Sequence, residues 1–186
     1  MQLIRGMMME DKGKLLGEER RRFILEWIKK AQGPVTGTEL AERTGVSRQV
    51  IVQDMALLKA KNEPIIATPQ GYLYLAEQPG EVRRVIACQH NFEQTERELT
   101  IMVEHGLKVI DVIVEHPIYG QLQGSLHIES LADVQDFMTK IKKEGAKLLS
   151  SLTEGVHLHT VAAKDERRIE EACRALEREG ILLSRD

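Results

Sequence analysis

Aromatic residues are scarce in this chain. Three Phe, three Tyr and one Trp make up 4% of its 186 residues, too few for the stacking platforms that hold single-stranded nucleic acids. Cysteine is scarcer still. Cys88 and Cys173 stand far apart, outside any C-x-x-C setting, each within an apolar run. Both therefore read as small buried hydrophobes rather than as a disulfide or a reactive thiol. No apolar run reaches the length that crosses a bilayer, and residues 1–16 lack the continuous apolar stretch of a secretory leader. The expectation is a cytoplasmic protein with no membrane partner. There is no internal repeat and no low-complexity segment. At 42% hydrophobic and 30% charged residues, the composition is that of a packed globular chain with one large or two small domains.

What is present is unevenly spread. The net charge of −3 hides a split: residues 1–75 carry 12 Lys and Arg against 9 Asp and Glu, whereas residues 76–186 carry 14 against 20. A basic module followed by an acidic remainder fits a DNA-binding domain fused to a part that does not touch DNA.

Residues 36–61, TGTELAERTGVSRQVIVQDMALLKAK, have the pattern of a helix-turn-helix. Ala41 is small where two helices cross. Gly45 supplies the left-handed turn residue, and Ile51 points back into the pair. Ser47 is placed to cap the second helix. The alternative is an ordinary αα-hairpin. A first helix is expected over Gly17–Ala31, with Ile24, Leu25, Trp27 and Ile28 inward and Gly33-Pro34 as its stop. Thr36 should cap a short second helix, and the recognition helix should run from Ser47 to Lys61 with Val50, Ile51, Met55 and Leu58 buried. Two strand-like runs, 65–67 and 72–75, flank the turn Thr68-Pro69-Gln70-Gly71. Together these predict a winged helix-turn-helix over residues 15–77, after a disordered tail at 1–14.

Gln78-Pro79-Gly80 marks the boundary. Beyond it, over residues 81–186, the pattern predicts strand 82–88, helix 95–105, strands 109–114 and 122–128, helix 131–144, strand 156–162 and helix 165–179. That order, β-α-β-β-α-β-α, is a split βαβ, ferredoxin-like sandwich with one extra helix, so the fold class is α+β. Such a sandwich hosts many functions and does not by itself assign one.

For DNA, the outward side of the recognition helix offers Ser47, Arg48, Gln49, Gln53 and Lys59. Arg and Gln can bond guanine and adenine edges in the major groove. Thr36 and Ser47, at helix N-termini, are placed for phosphate oxygens, and the wing tip with Gln70 and Tyr72 for the minor groove or flanking backbone. The alternative for each charge is a solvated helix face.

All six histidines fall in the second part. His157 and His159 are two apart on a strand and share a face. His90 lies just beyond the end of the first strand of that part, and Glu98 lies eight residues on, within reach. Three imidazoles and a carboxylate suit Zn, Ni, Fe or Mn. A competing reading is open: Thr95-x-x-Glu98 matches a capping box, and the histidines could be ordinary. Glu115-His116-Pro117-Ile118-Tyr119-Gly120 similarly reads either as a rigid loop presenting His116 and Tyr119 to a small molecule or as a plain hairpin turn.

The stretches SRQVIVQDMALLKAKNEPIIAT with GYLYL, then VIVEHPIYG, then LTEGVHLHT, resemble the bacterial niacin-responsive repressor family, from about Leu15 to Ile181. The resemblance implies a homodimeric repressor of NAD-biosynthesis or niacin-transport genes that binds double-stranded operator DNA, with nicotinic acid as co-repressor. It also implies one divalent metal per chain at His90, Glu98, His157 and His159, and, on the VIVEHPIYG stretch, His116 and Tyr119 in the effector pocket. Two other classes remain: a metal-independent amino-acid-binding regulator on the same fold, and a metal-dependent hydrolase with Glu115 or Glu154 as base. An architectural DNA-binding protein fits poorly with the acidic second half.

Overall fold

The computed structural model describes residues 17–75 and 80–183. The expected tail at 1–14 and the Gln78-Pro79 part of the expected boundary lie outside these residues. The chain divides into two compact units, taken here in turn.

The first unit contains α1 (Gly17–Lys30), α2 (Gly37–Thr44), α3 (Arg48–Ala60), β1 (Ile65–Thr68) and β2 (Gly71–Tyr74). Its helices start where side chains satisfy orphan backbone donors. Thr36 accepts from the Glu39 N–H at 3.1 Å and Ser47 from the Val50 N–H at 3.4 Å. Gly45, at φ 66°, ends α2 in the left-handed conformation. The inner stripe is largely as expected. Ile24, Ile28, Leu40, Ile51, Met55 and Leu58 are buried together with Val35 and Ile65, while Leu25, Trp27 and Ala41 pack against them half-buried. Val35 also pairs with Tyr72, adding a third short segment to the wing. Gly71 makes that approach possible: it sits at φ 144°, and a Cβ there would lie 2.5 Å from the Val35 carbonyl oxygen. Among the described residues of this unit three buried ones, Arg20, Thr44 and Asp54, break the apolar pattern. Asp54, in the middle of α3, faces inward and holds Arg20 of α1, Oδ2 to Nε at 2.6 Å.

The second unit is α+β, with β3 (Val82–Gln89), α4 (Thr95–Glu104), β4 (Lys108–His116), β5 (Gly120–Ile128), α5 (Leu131–Glu144), β6 (Val156–Ala163) and α6 (Glu166–Arg178). The expected element order is the observed one. All strand pairs are antiparallel, in the order β3-β6-β4-β5. β3 and β4 thus run parallel with β6 between them, which splits the βαβ unit. The strand that fills the gap is the last one, not the hairpin partner β5. Composition explains this: β4 (KVIDVIVEH) is apolar enough to be covered on both sides, whereas β5 (GQLQGSLHI) carries glutamines and glycines that suit an edge. The other edge, β3, is partly covered by residues 181–183, through bonds from Gln89 N to Ile181 O and from Leu183 N to Ala87 O.

The three helices share one apolar core with the sheet, built from Ile86, Leu99, Met102, Val109, Val134, Val161, Ile169 and Leu176 among others. Two 3-10 turns escaped the sequence reading: Phe92–Gln94 ahead of α4, and Leu149–Thr153 ahead of β6. The first of them changes the start of α4. Asn91 caps the turn by accepting the Gln94 N–H, Gln94 takes the N-cap position of α4, and Thr95 Oγ1 bonds none of the described residues. The capping box, the competing reading of Thr95-x-x-Glu98, therefore does not form, and Glu98 is available for other bonds. Among the described residues no helix is long and apolar enough to cross a membrane.

Candidate metal centre and nucleic-acid interface

β3, α4 and β6 bring four of the expected residues to one buried point. Cys88 of β3 stands opposite His157 of β6, and Ile86 opposite His159, so His157 and His159 project to the core face beneath α4. Glu98 descends from the first turn of α4 and is 1% exposed. Its Oε2 lies 2.8 Å from His90 Nε2, and its Oε1 lies 3.1 Å from His157 Nε2 and 3.5 Å from His159 Nε2.

The backbone sets the tautomers. His90 Nδ1 donates to the Asn91 carbonyl at 2.7 Å, His157 Nδ1 to Gly155 at 2.8 Å and His159 Nδ1 to Asp111 at 2.6 Å. A carbonyl only accepts, so all three Nδ1 atoms carry hydrogen, and in the neutral ring each Nε2 lone pair faces the carboxylate. Three lone pairs and an anion crowded into one buried space repel one another unless a cation or added protons stand between them. His159 Nε2 has no hydrogen-bond partner although it is buried. These residues fit a divalent metal and could hold one: three oriented imidazoles, one carboxylate, and carbonyl partners behind each ring.

A bulge in β4 between Val109 and Asp111 turns the Asp111 carbonyl toward His159. The Asp111 carboxylate is itself fixed by the Thr160 N–H at 3.0 Å and Gln123 Nε2 at 2.6 Å. Gly155, at φ 88°, brings its carbonyl to both His157 Nδ1 and the His90 N–H. A Cβ on Gly155 would run into the His90 carbonyl. Gly155→Ala should therefore displace His90, weaken metal binding by about 10–100-fold and destabilise the fold by more than about 1 kcal/mol. Metal titration of the variant by calorimetry checks this, and an unchanged affinity would contradict it.

Charge in the cluster is strongly biased. Burial pushes the Glu98 carboxyl up, but the charge of His159 beside it and bonds from His157 and His90 hold it well below its ordinary 4.5. Burial lowers His90 and His159, yet Glu98 outweighs it and raises both above their ordinary 6.5. Burial, reinforced by Glu98, pushes the Cys88 thiol up. Raised imidazoles stabilise the fold below 6.5, and that contribution is lost as pH rises through their folded values. A depressed carboxyl stabilises above 4.5, and its contribution is lost as pH falls through its folded value. Chelator-treated protein should accordingly melt at a lower temperature at about pH 8 than at about pH 6. A thermal scan in both buffers decides it, and equal or reversed midpoints would refute the assignment.

Beside the cluster lies a void of about 30 Å³, walled by Val112, Leu126, Phe137, Leu148 and Leu149 over a floor of His90, Glu98, His157 and His159. It is large enough for about two water molecules. His116 and Tyr119 line no part of it. They stand at the β4–β5 hairpin, their rings 4.9 Å apart and Tyr119 73% exposed. His116 Nδ1 accepts the Ile118 and Tyr119 N–H groups at 3.2 and 3.3 Å, so one edge of the imidazole holds the turn. An open hollow of about 420 Å³ lies against His116, Glu115 and Gln121. His105 bonds the Ile101 carbonyl at 2.8 Å, and His127, at φ 51°, follows Leu126 on β5; neither enters the cluster.

In the first unit, Thr36, Ser47, Arg48, Gln49, Gln53 and Lys59 are all exposed and Tyr72 is half-exposed; Gln70, in the turn between β1 and β2, is half-exposed too. Arg48 and Tyr72 both flank Gly37 at the start of α2, within 3.6 Å of where its Cβ would be, so Thr36, Arg48 and Tyr72 share one patch. Sequence reading passed over Val52, 52% exposed on α3 beside Gln53 and chemically suited to a thymine methyl. It also passed over Asp111 and the place of Cys88 within 4.8 Å of Glu98 and His157. The C-x-H spacing of Cys88 and His90 was visible in the sequence, whereas its pairing with the H-x-H of β6 was not.

Residues 20–73 match an HTH domain and residues 83–185 match the 3H domain. The chain is 51% identical over 178 residues to the protein named transcription repressor NadR of Bacillus subtilis, covering 94% of this chain and 99% of that one. It is 39% identical over 170 residues to the probable transcription repressor NiaR of Thermotoga maritima, covering 91% and 97%. With an exposed recognition helix joined to a buried His/Glu cluster, and with these relatives, the chain is a DNA-binding regulator rather than an enzyme, and it belongs to the 3H-domain NadR/NiaR family of transcription repressors.

Proposed function

We propose that the chain is a homodimeric, nicotinic-acid-responsive repressor of NAD-biosynthesis or niacin-transport genes. In this reading His90, Glu98, His157 and His159 hold one divalent transition metal per chain, and the recognition helices of two protomers enter successive major-groove half-sites of a double-stranded operator. The observation that carries the reading is the convergence of three Nε2 atoms on Glu98 beneath an apolar void. The metal, when bound, supplies positive charge for a ligand carboxylate. Arg48 and Gln49 read base edges, with Gln53 beside them, while Thr36, Ser47, Lys59, Gln70 and Tyr72 hold backbone.

The apolar walls suit a pyridine ring, but the void is too small to admit one as it stands. Phe137 or the Leu148–Ser150 segment has to move. That segment leads into the 3-10 turn lying on β4 and β6, so ligand entry would favour one arrangement of the sheet end over another, which is the differential affinity a population shift needs. The hollow at His116 offers a second seat, large enough without movement, where the imidazole would donate to the carboxylate, although Tyr119 is not among the residues that line it.

Titrating operator DNA with metal-loaded protein, with and without nicotinic acid, tests the reading. The expected result is tighter binding with ligand, by about 5–150-fold, the usual range of coupling between sites. Equal affinities in both arms would sink the co-repressor role. Repeating the titration with His116→Ala separates the two seats: a lost ligand response places the effector at the hairpin, and a retained one at the void.

A further inference from the structure

The tightest three-donor set among the described residues is not a histidine triad. Cys88 Sγ, a Glu98 oxygen and a His157 ring nitrogen all lie within 4.8 Å of one another. Resting on the metal-binding reading above, we propose that Cys88 is a sulfur ligand of the same centre, so that the donors are three imidazoles, a carboxylate and a thiolate.

Strand geometry places it there. Cys88 lies on β3 with His90 two residues on, just past the end of the strand, and His157 and His159 stand two apart on the neighbouring β6, with Cys88 directly opposite His157. Side chains opposite one another on one face of an antiparallel pair have Cβ atoms about 4.5–5.5 Å apart. C-x-H and H-x-H therefore present their donors to a common point, and α4 lowers Glu98 onto it. Sulfur at about 2.3 Å and nitrogen at about 2.1 Å from one ion can stand at most about 4.4 Å apart. The present separation needs only a small closure.

Charge favours the same assignment. A divalent ion with one carboxylate leaves one positive charge in a site where His157, His159 and Glu98 are each at most 3% exposed. Coordinated thiolate cancels it: the S–H proton goes to solvent as the sulfur–metal bond forms, with no change in oxidation state. Cys88 is 0% exposed, so its sulfur is held away from competing water. A soft donor also biases the site toward zinc, cobalt or nickel and away from manganese.

Cobalt(II) added alone to the metal-stripped full chain tests this by absorption. Wild type and Cys173→Ser should bind one equivalent, showing visible d–d bands and a near-ultraviolet sulfur-to-cobalt charge-transfer band. Cys88→Ser should keep the d–d bands and lose the charge-transfer band. Stoichiometric cobalt in wild type with d–d bands and no charge-transfer band overturns the sulfur ligand while leaving the histidine–carboxylate centre intact. A band lost in Cys173→Ser and kept in Cys88→Ser overturns it too. Absence of stoichiometric cobalt altogether overturns both readings. Should Cys88→Ser fail to fold, wild type and Cys173→Ser still decide the matter.

Discussion

Replacing Asp54 with alanine will cost about 3–5 kcal/mol of stability, the toll of breaking a buried ion pair from one side. Most acidic side chains on a recognition helix would be neutral to remove, because an exposed pair contributes only about 0–1 kcal/mol. This one differs in burial. The Asp54 side chain is 3% exposed and that of Arg20 is 10% exposed. Both Asp54 oxygens bond the guanidinium, at 2.6 and 3.2 Å, and Arg21 adds a third contact at 3.3 Å. Alanine leaves the Arg20 charge enclosed without its carboxylate, whereas Asp54→Asn keeps an acceptor and should lose less. Urea denaturation followed by far-ultraviolet circular dichroism measures it, as a fall in midpoint with little change in slope. A loss below about 1 kcal/mol would show the pair to be solvent-screened. Because the pair ties α3 to α1, operator affinity should fall alongside stability.

In the proposed metal centre, Glu98→Gln will abolish the stabilisation that bound metal would confer, about 4 kcal/mol at a metal concentration a thousand times the dissociation constant. The substitution keeps shape and removes charge. In the wild-type chain three Nε2 atoms surround an anion; glutamine replaces that anion with a neutral oxygen and an NH₂ group that donates to imidazole lone pairs. Metal-free Glu98→Gln loses the pairing with the raised imidazoles and should be less stable than metal-free wild type near pH 6, while its response to zinc or nickel disappears. Differential scanning calorimetry with and without metal separates the two effects. A variant that retains the full metal-induced rise in melting temperature would remove Glu98 from the ligand set.

Long periodic elements were readable from sequence because burial on one face imposes a 3.6 or 2 repeat. α5 was expected at Leu131–Glu144 and found there, and Ser47, Thr36 and Gly45 mark their helix ends by chemistry that needs no tertiary context. Features set by non-local pairing were not readable. Nothing in β3 or β6 announces that they are neighbours, so the strand order, and with it the placing of Cys88 against His157, emerged only in three dimensions. The 3-10 turn at Phe92–Gln94 is too short to carry a period. Its presence released Thr95-x-x-Glu98 from the capping box that the sequence spelled. The four residues His90, Glu98, His157 and His159 were legible as a set, yet the reason they suit a cation was not. That reason lies in the carbonyls of Asn91, Gly155 and Asp111, and main-chain atoms carry no sequence signature.

Trp27 is the sole tryptophan of the chain, and its surroundings give it a use. The indole has the Arg43 guanidinium 3.8 Å above its ring and donates to Glu39 at 3.3 Å, both on α2, while Phe23 stacks beside it at 6.0 Å. Its emission thus responds to how α2 sits on α1, and the histidine cluster contributes no indole of its own. Any change in that emission when nicotinic acid or metal is added is an optical record of a message reaching the DNA-reading head, available from unlabelled protein in solution.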